Sequence, residues 1–402
     1  MLELSIALFV GILIGTATGL CPGVHINLVA AGLLSSLGWF AGVPVIALVV
    51  FIVALSIAHT MIDFIPSVFL GAPNEDNFLS VLPGHELLKE GKGYAAVVYA
   101  LYGGLAGLVI VLIFSFVFVL FLAGIFDFIS TMIPFILIFV SLFLIFSEEK
   151  WWIAGLVFIL AGIFGYMTFN LPVRGPLLPM LSGLFGLSGL IVSLRDRVRI
   201  PKQKIEKLRE VKLERGAFWR NSFAAFIAAP LCSFLPGIGS GHASVLGSEI
   251  AGRQEENRGG FLFLVGAINV IVMSLSFVAV YSIGKGRTGS AVAVQELLGK
   301  ISLGDLSLII GCVIVSAFVV FFIGVYVARF FALYVMKINY SRISWFVIGL
   351  LILANLFLSN WIGMIVLVTG SALGVFCILS GVRRIQMMGC LLIPSIVYYL
   401  VL

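Results

Sequence analysis

Long apolar runs follow one another along almost the whole chain, and the places where they break are as informative as the runs. "VPVIALVVFIVALSIAHTMI" from residue 43 and "FLFLVGAINVIVMSLSFVAVYSIG" from residue 261 carry no charged residue. Each is long enough to cross, as a helix, a hydrocarbon layer about 30 Å thick. The pattern predicts an all-α polytopic membrane protein. Two apolar stretches are interrupted midway, at "GTATGLCPGVHIN" (15–27) and at "SFLPGIGSGH" (233–242). Proline removes a backbone donor and glycine permits turns that other residues resist, so Pro-Gly breaks a helix. Backbone groups freed in lipid cost several kcal/mol each unless protein or a water-filled cavity satisfies them. Two matched breaks therefore predict two broken hairpins whose tips meet and form a site. The plainer alternative is a pair of proline kinks satisfied by neighbouring helices.

The interruptions belong to a longer repeat. "PGVHIN" at 22 matches "PGIGSG" at 236, and "FLGAPNEDNFLSVLPGHELL" (69–88) matches "SIGKGRTGSAVAVQELL" (282–298). "EEKWWIAGLVFILAGIFG" (148–165) matches "LSNWIGMIVLVTGSALGVF" (358–376), with Trp152 against Trp361, and "RGPLLP" at 174 matches "MGCLLIP" at 388. The same order of polar landmarks in both halves predicts a first membrane repeat over 1–194, a linker over 195–216 and a second repeat over 217–402. Each repeat reads as one Pro-Gly-broken hairpin followed by about five transmembrane helices.

Charge sets the orientation. Of 402 residues 61% are hydrophobic and 10% charged, against about 25% charged in soluble domains. Residues 195–220 hold ten Lys/Arg and four Asp/Glu, so their net +6 equals that of the whole chain. A basic excess confined to one loop argues against nucleic acid as a partner and for a cytoplasmic loop under the positive-inside rule. Walking outward from that loop puts Lys89, Lys92, Lys150, Arg253, Arg258, Lys337, Arg342, Arg383 and Arg384 inside only if the second half is inverted relative to the first. Both termini then lie outside, in a multi-pass plasma-membrane protein. The N-terminal "MLELSIALFVGILIG" has no positive n-region and reads as a retained helix. Cys21, Cys232, Cys312, Cys377 and Cys390 lack metal-ligand spacing and read as buried apolar residues, with no metal expected.

The polar groups inside these apolar segments are the candidate chemistry. A helix that restarts after a break presents free N–H groups and the positive end of its dipole, which suits an anion. Around the tips this selects Pro22, Gly23, His25 and Asn27, with Thr16 and Thr18 nearby. The second tip offers Pro236, Gly237, Gly239, Ser240, Gly241 and His242. Lys285 and Arg287 in "SIGKGRTGS" face a substrate carboxylate or phosphate, or belong to an ordinary interfacial loop. The matching "GAPNEDN" holds Glu75 and Asp76, which with His59, Asp63 and Asn269 are candidates for binding a coupling Na⁺ or H⁺; no other cofactor is expected. His59 and Asp63, four apart, share a helical face; buried ionisable groups in a membrane point to ion or proton pathways, or the two form a structural pair near the cytoplasmic end. Gly11, Gly15 and Gly19 recur every four residues, a pattern for close helix packing.

At "GILIGTATGLCPGVHINLVAAGLL" (11–34), "LGAPNEDNFLSVLPGHELLKEGKGYAA" (70–96) and "LCSFLPGIGSGHASVLGSEIAG" (231–252) followed by "GAINV", the chain resembles the TctA family. These are the large membrane subunits of tripartite tricarboxylate transporters, and the likeness is to shorter archaeal stand-alone members. The resemblance implies carboxylate substrates such as citrate, moved by an ion gradient, with Pro22, Gly23, Pro236, Gly237 and Gly239 at the site. His25 stands where the family tends to have a further glycine.

Three function classes follow. A secondary transporter for an organic anion, working by alternating access at a midplane site, fits inverted repeats with discontinuous segments. A flippase-like carrier of a lipid-linked polyprenyl phosphate would use the same cationic, glycine-lined cavity. An intramembrane enzyme is disfavoured: Ile238 precedes Ser240 by two where a Gly-X-Ser-Gly nucleophile needs glycine, and no HExxH or Walker A motif is present, so no residue is assigned as catalytic. The expected partners are the lipid bilayer and a small anion or lipid phosphate, with homo-oligomerisation left open.

Overall fold

The computed structural model of the chain describes residues 2–21, 26–35, 40, 42–71, 79, 81–195, 201–234, 239–252, 257–334 and 340–401. Among them regular structure is helical throughout. A first pair, α1 (Leu2–Gly19) and α2 (Ile26–Ser35), flanks the first Pro-Gly break. There follow α3 (Val45–Ile62), α4 (Phe64–Leu70), α5 (Val81–Lys89) and α6 (Gly93–Val117), the last running through a π-helical turn into α7 (Ala123–Phe146). The first half closes with α8 (Trp151–Asn170), α9 (Leu177–Leu181) and, beyond a second π turn, α10 (Ser188–Arg195). The second half contains α11 (Arg215–Ser233), α12 (Ser240–Ile250), α13 (Arg258–Ile283) and α14 (Gly289–Leu298). It ends with α15 (Leu303–Tyr334), α16 (Tyr340–Ser380) and α17 (Gly389–Val401).

Eight stretches of the described residues are long and apolar enough to cross a membrane, so the protein is polytopic. They differ in detail from the ten full spans expected. Leu2–Gly19, which precedes the first break, is itself long enough, whereas Thr131–Phe146 and Leu177–Val192 are shorter apolar helices. Helix α16 has 41 residues, about 61 Å at 1.5 Å per residue and twice the hydrocarbon thickness. Asn360 divides it, with φ 65° and ψ −177°. Its Oδ1 accepts from Ile362 N at 3.1 Å and Gly363 N at 3.2 Å, and its Nδ2 donates to Pro172 O at 2.9 Å. This positive-φ, extended backbone is one that few residues other than glycine adopt, and the asparagine side chain caps the helix that restarts beyond it.

Glycines set the closest helix contacts and reveal the helix directions. A Cβ on Gly11 would fall 2.9 Å from Ala54 Cβ, one on Gly15 2.7 Å from Ala58 Cβ, and one on Gly19 3.1 Å from Ile62 Cβ. The four-residue glycine stripe is therefore the seam along which α1 runs parallel to α3. Gly93 meets Phe69 and Gly104 meets Met61, so α3–α4 and α6 are antiparallel. Gly103 lies on Phe263 and Gly107 on Ala267, so α6 runs parallel to α13. Cys312 Sγ approaches Val50 O at 3.5 Å while Gly324 packs on Ile62, so α15 runs parallel to α3. It follows that α3 and α13 are antiparallel. Gly389, Cys390 and Ile393 of α17 lie against Phe158, Gly165 and Gly162 of α8, a further close glycine-mediated contact.

The linker is a strap. Gln203, 5% exposed, donates from Nε2 to Leu88 O and accepts from Gly93 N, while Lys204 N donates to Gly91 O. On that face Arg258 Nε pairs with Glu86 at 2.7 Å and Arg258 Nη1 with Glu90; Arg383 Nε meets Glu148 at 2.6 Å and its Nη1 meets Glu249 at 3.4 Å. Large apolar side chains elsewhere point outward, among them Phe139, Phe357 and Trp361, as expected of a surface solvated by lipid tails.

Candidate functional site

The second break is the better defined. Helix α11 ends at Ser233, whose Oγ donates to Pro230 O. Residues 235–238, and so Pro236 and Gly237, lie outside the described residues. Gly239 caps α12 in an extended conformation, and its N–H donates to Nδ1 of His242 at 3.0 Å. The imidazole thus faces back over the helix start. Nε2 of His242 and Oγ of Ser244 are buried without a hydrogen bond. Ser240 is 1% and His242 4% exposed, so these groups are withdrawn from the surface.

Arg287 reaches this tip from the other side. A Cβ on Gly239 would lie 3.1 Å from Arg287 Nη2, an approach that only glycine allows without displacing the guanidinium. The loop that delivers Arg287 turns at Gly284, φ 62°, and is held by Gln295, whose Nε2 donates to Gly284 O and whose Oε1 accepts from Gly286 N. Thr288 then caps α14 by accepting from Ala291 N, and its hydroxyl contacts Ser276 of α13 at 3.0 Å. The arginine therefore sits where the N-terminal ends of two helices, α12 and α14, converge. Helix starts carry partial positive charge, so this corner of the fold is electropositive. Lys285 does not join this group; its ammonium lies over the Phe126 ring, 4.7 Å from the centroid.

Further polar atoms stand without hydrogen bonds nearby. Ser290, in the first turn of α14, is buried with its Oγ unpaired. Asn269, 2% exposed, leaves both amide atoms without a partner, and two helical turns separate it from Ser276 on the same face of α13. Buried polar groups are paired as a rule, and atoms without a partner occur elsewhere in the protein too, at Asn221, Asn355 and Gln386 among others.

The first break is flanked by α1 and α2, with Pro22, Gly23 and His25 outside the described residues and only the backbone of Asn27 described, in α2. Glu75 and Asp76 also lie outside. What is described is the neighbouring pair on α3. His59 is 2% and Asp63 4% exposed, and His59 Nδ1 lies 3.1 Å from Thr18 Oγ1, at the end of α1. Met61 and Val270 both reach Gly104, which sets the His59–Asp63 turn level with Asn269. Helix α2 packs against α14, linking the segment after the first break to the helix that follows the Arg287 loop. Ser290 and the Ser276–Thr288 contact escaped the sequence reading, although the "TGS" at the start of an apolar helix is a capping signal that leads to both.

Comparison with known proteins gives this arrangement a context. The Tripartite tricarboxylate transporter TctA family matches residues 6–389. An uncharacterized protein of Methanocaldococcus jannaschii is 32% identical over 411 residues, covering 98% of each chain. No solved structure matches. With nearly the whole chain matched, this membrane protein belongs to the TctA family, a family of transporters.

Proposed function

We propose that the protein is an ion-coupled secondary transporter for an organic anion of the di- or tricarboxylate kind, working by alternating access between two inverted repeats. The observation that carries the anion is Arg287 beside Gly239, between the starts of α12 and α14. The family match favours a carboxylate and lends nothing to a lipid-linked phosphate. The antiparallel course of α3 and α13, which hold equivalent places in the two halves, supports inversion, as does the reciprocal packing of α6 on α13 and α15 on α3. His59, Asp63 and Asn269 are the proposed coupling group, being buried, polar and level with one another. In this reading the basic linker is cytoplasmic, because it shares its face with Arg258 and Arg383.

Uptake of radiolabelled citrate by proteoliposomes, under imposed Na⁺ or proton gradients, tests this directly. Gly237→Leu is expected to abolish uptake while leaving insertion and the size-exclusion profile unchanged, since a branched side chain at a Pro-Gly tip fills the space a ligand needs. Normal uptake by that variant would remove the second tip from the site.

A further inference from the structure

A cavity of about 240 Å³ lies away from the second tip, beneath the turn that joins α16 to α17. Its polar lining comprises Gly71 at the end of α4, His85 and Lys89 of α5, Gly189 of α10, and Arg383 and Arg384 of the turn. Among the described residues no carboxylate lines it, yet two arginines and a lysine do. Arg383 is compensated, its guanidinium held by Glu148 and Glu249. Arg384 is not. Its Nη2 donates to Phe185 O at 2.6 Å, Leu184 O at 3.3 Å and Ser188 Oγ at 3.1 Å, and the guanidinium lies 5.7 Å from the Phe185 ring centroid. Every one of these partners is neutral. Its Nε is buried with no hydrogen bond at all.

A guanidinium keeps its proton in proteins, so it cannot escape burial by neutralising. A buried charge without a counter-charge is expensive, and a planar fork with free donors matches an oxyanion. His85 adds no charge of its own: burial, and then the proximity of Lys89 and Arg384, pushes its imidazole down to about 3. Gly189 leaves room in front of the fork, since a Cβ there would come 3.5 Å from Arg384 Nη1. The volume lies below the roughly 300 Å³ at which drug-sized ligand pockets begin, so the occupant is small. The rest of the lining, including Leu190, Ile378 and Val382, is apolar and strengthens any charge interaction within.

We propose that this cavity is a second anion site, binding one small oxyanion, phosphate or carboxylate, on Arg384 with Lys89 at its mouth. It contains elements of both halves and none of the residues assigned to the second tip, so it stands whether or not that tip binds substrate.

Thermal unfolding of the purified full-length protein with inorganic phosphate, and separately with citrate, against chloride at equal ionic strength, tests it, because a ligand of the folded state raises apparent stability by mass action. The measurement is made in the Gly237→Leu background, where binding at the tip is blocked. A midpoint raised by phosphate, by citrate or by both supports the site and names its preference. Arg384→Gln is expected to remove that rise, and Lys89→Gln, a change at the exposed mouth that leaves packing intact, to weaken the apparent affinity about threefold. No rise with either anion in Gly237→Leu, or a rise unchanged by both cavity substitutions, overturns the proposal. If Arg384→Gln fails to fold, the Lys89→Gln titration decides alone.

Discussion

Replacing Arg287 by glutamine is expected to lower citrate uptake roughly ten- to a hundredfold while the protein still folds and inserts. Charge-assisted hydrogen bonds contribute about 1.5–3 kcal/mol, and each 1.4 kcal/mol is a factor of about ten in affinity. The loss should show mainly as a raised half-saturation concentration. Arg287→Lys keeps the charge but not the fork and should fall between wild type and glutamine. Lys285→Gln is the matched control: it removes a charge two residues away from a side chain that lies exposed over Phe126. Equal damage from both glutamine variants would mean that only the overall positive potential matters. Normal uptake by Arg287→Gln would take the convergence of α12 and α14 out of the substrate site.

The contrast between Lys285 and Arg287 also shows where sequence stops being informative. Both cations stand in one short loop with equal claim on an anion. What separates them is the turn at Gly284 and the close approach at Gly286, where a Cβ would lie 2.7 Å from Val292 N. Loop backbone of that kind leaves only glycines in the sequence, without direction. The helix seams were legible for the opposite reason: Gly11, Gly15 and Gly19 share a face by spacing alone, and they do pack against Phe51, Leu55 and His59. Proline by itself is a poor guide to breaks. Pro134, Pro230 and Pro394 all lie inside helices, while Asn360, which lies in no Pro-Gly pair, divides α16. The cavity around Arg384 had no local signal, because His85 and Arg384 come from opposite ends of the chain and meet only through the fold.

Gly103→Val is expected to prevent recovery of folded protein, the largest structural effect of any single substitution considered. A Cβ at residue 103 would collide with Phe263 O and lie 2.8 Å from Phe263 C and 2.9 Å from Ala267 N. These are backbone atoms of α13, so no rotamer change relieves the overlap and the two helices must separate. Overpacking typically costs about 1–3 kcal/mol, more where the backbone has to shift. Here separation also breaks contacts at Gly107 and Gly266, each of whose added Cβ would press on opposing backbone. Gly124→Val, at a position with open space around the Cβ, should purify like wild type, and comparing the two by size-exclusion profile in detergent isolates the packing term from the effect of losing glycine. The result bears on mechanism as well as stability. Helix α6 belongs to the first half and α13 to the second, and their backbones touch, as α3 and α15 also pack closely across the halves. Alternating access that slid one whole half past the other would have to open both seams. A boundary that leaves α3, α6, α13 and α15 together and moves the hairpins against them avoids that cost. A Gly103→Val protein that folds and transports normally would show that the α6–α13 seam can open, and with it restore the simpler picture of one half moving against the other.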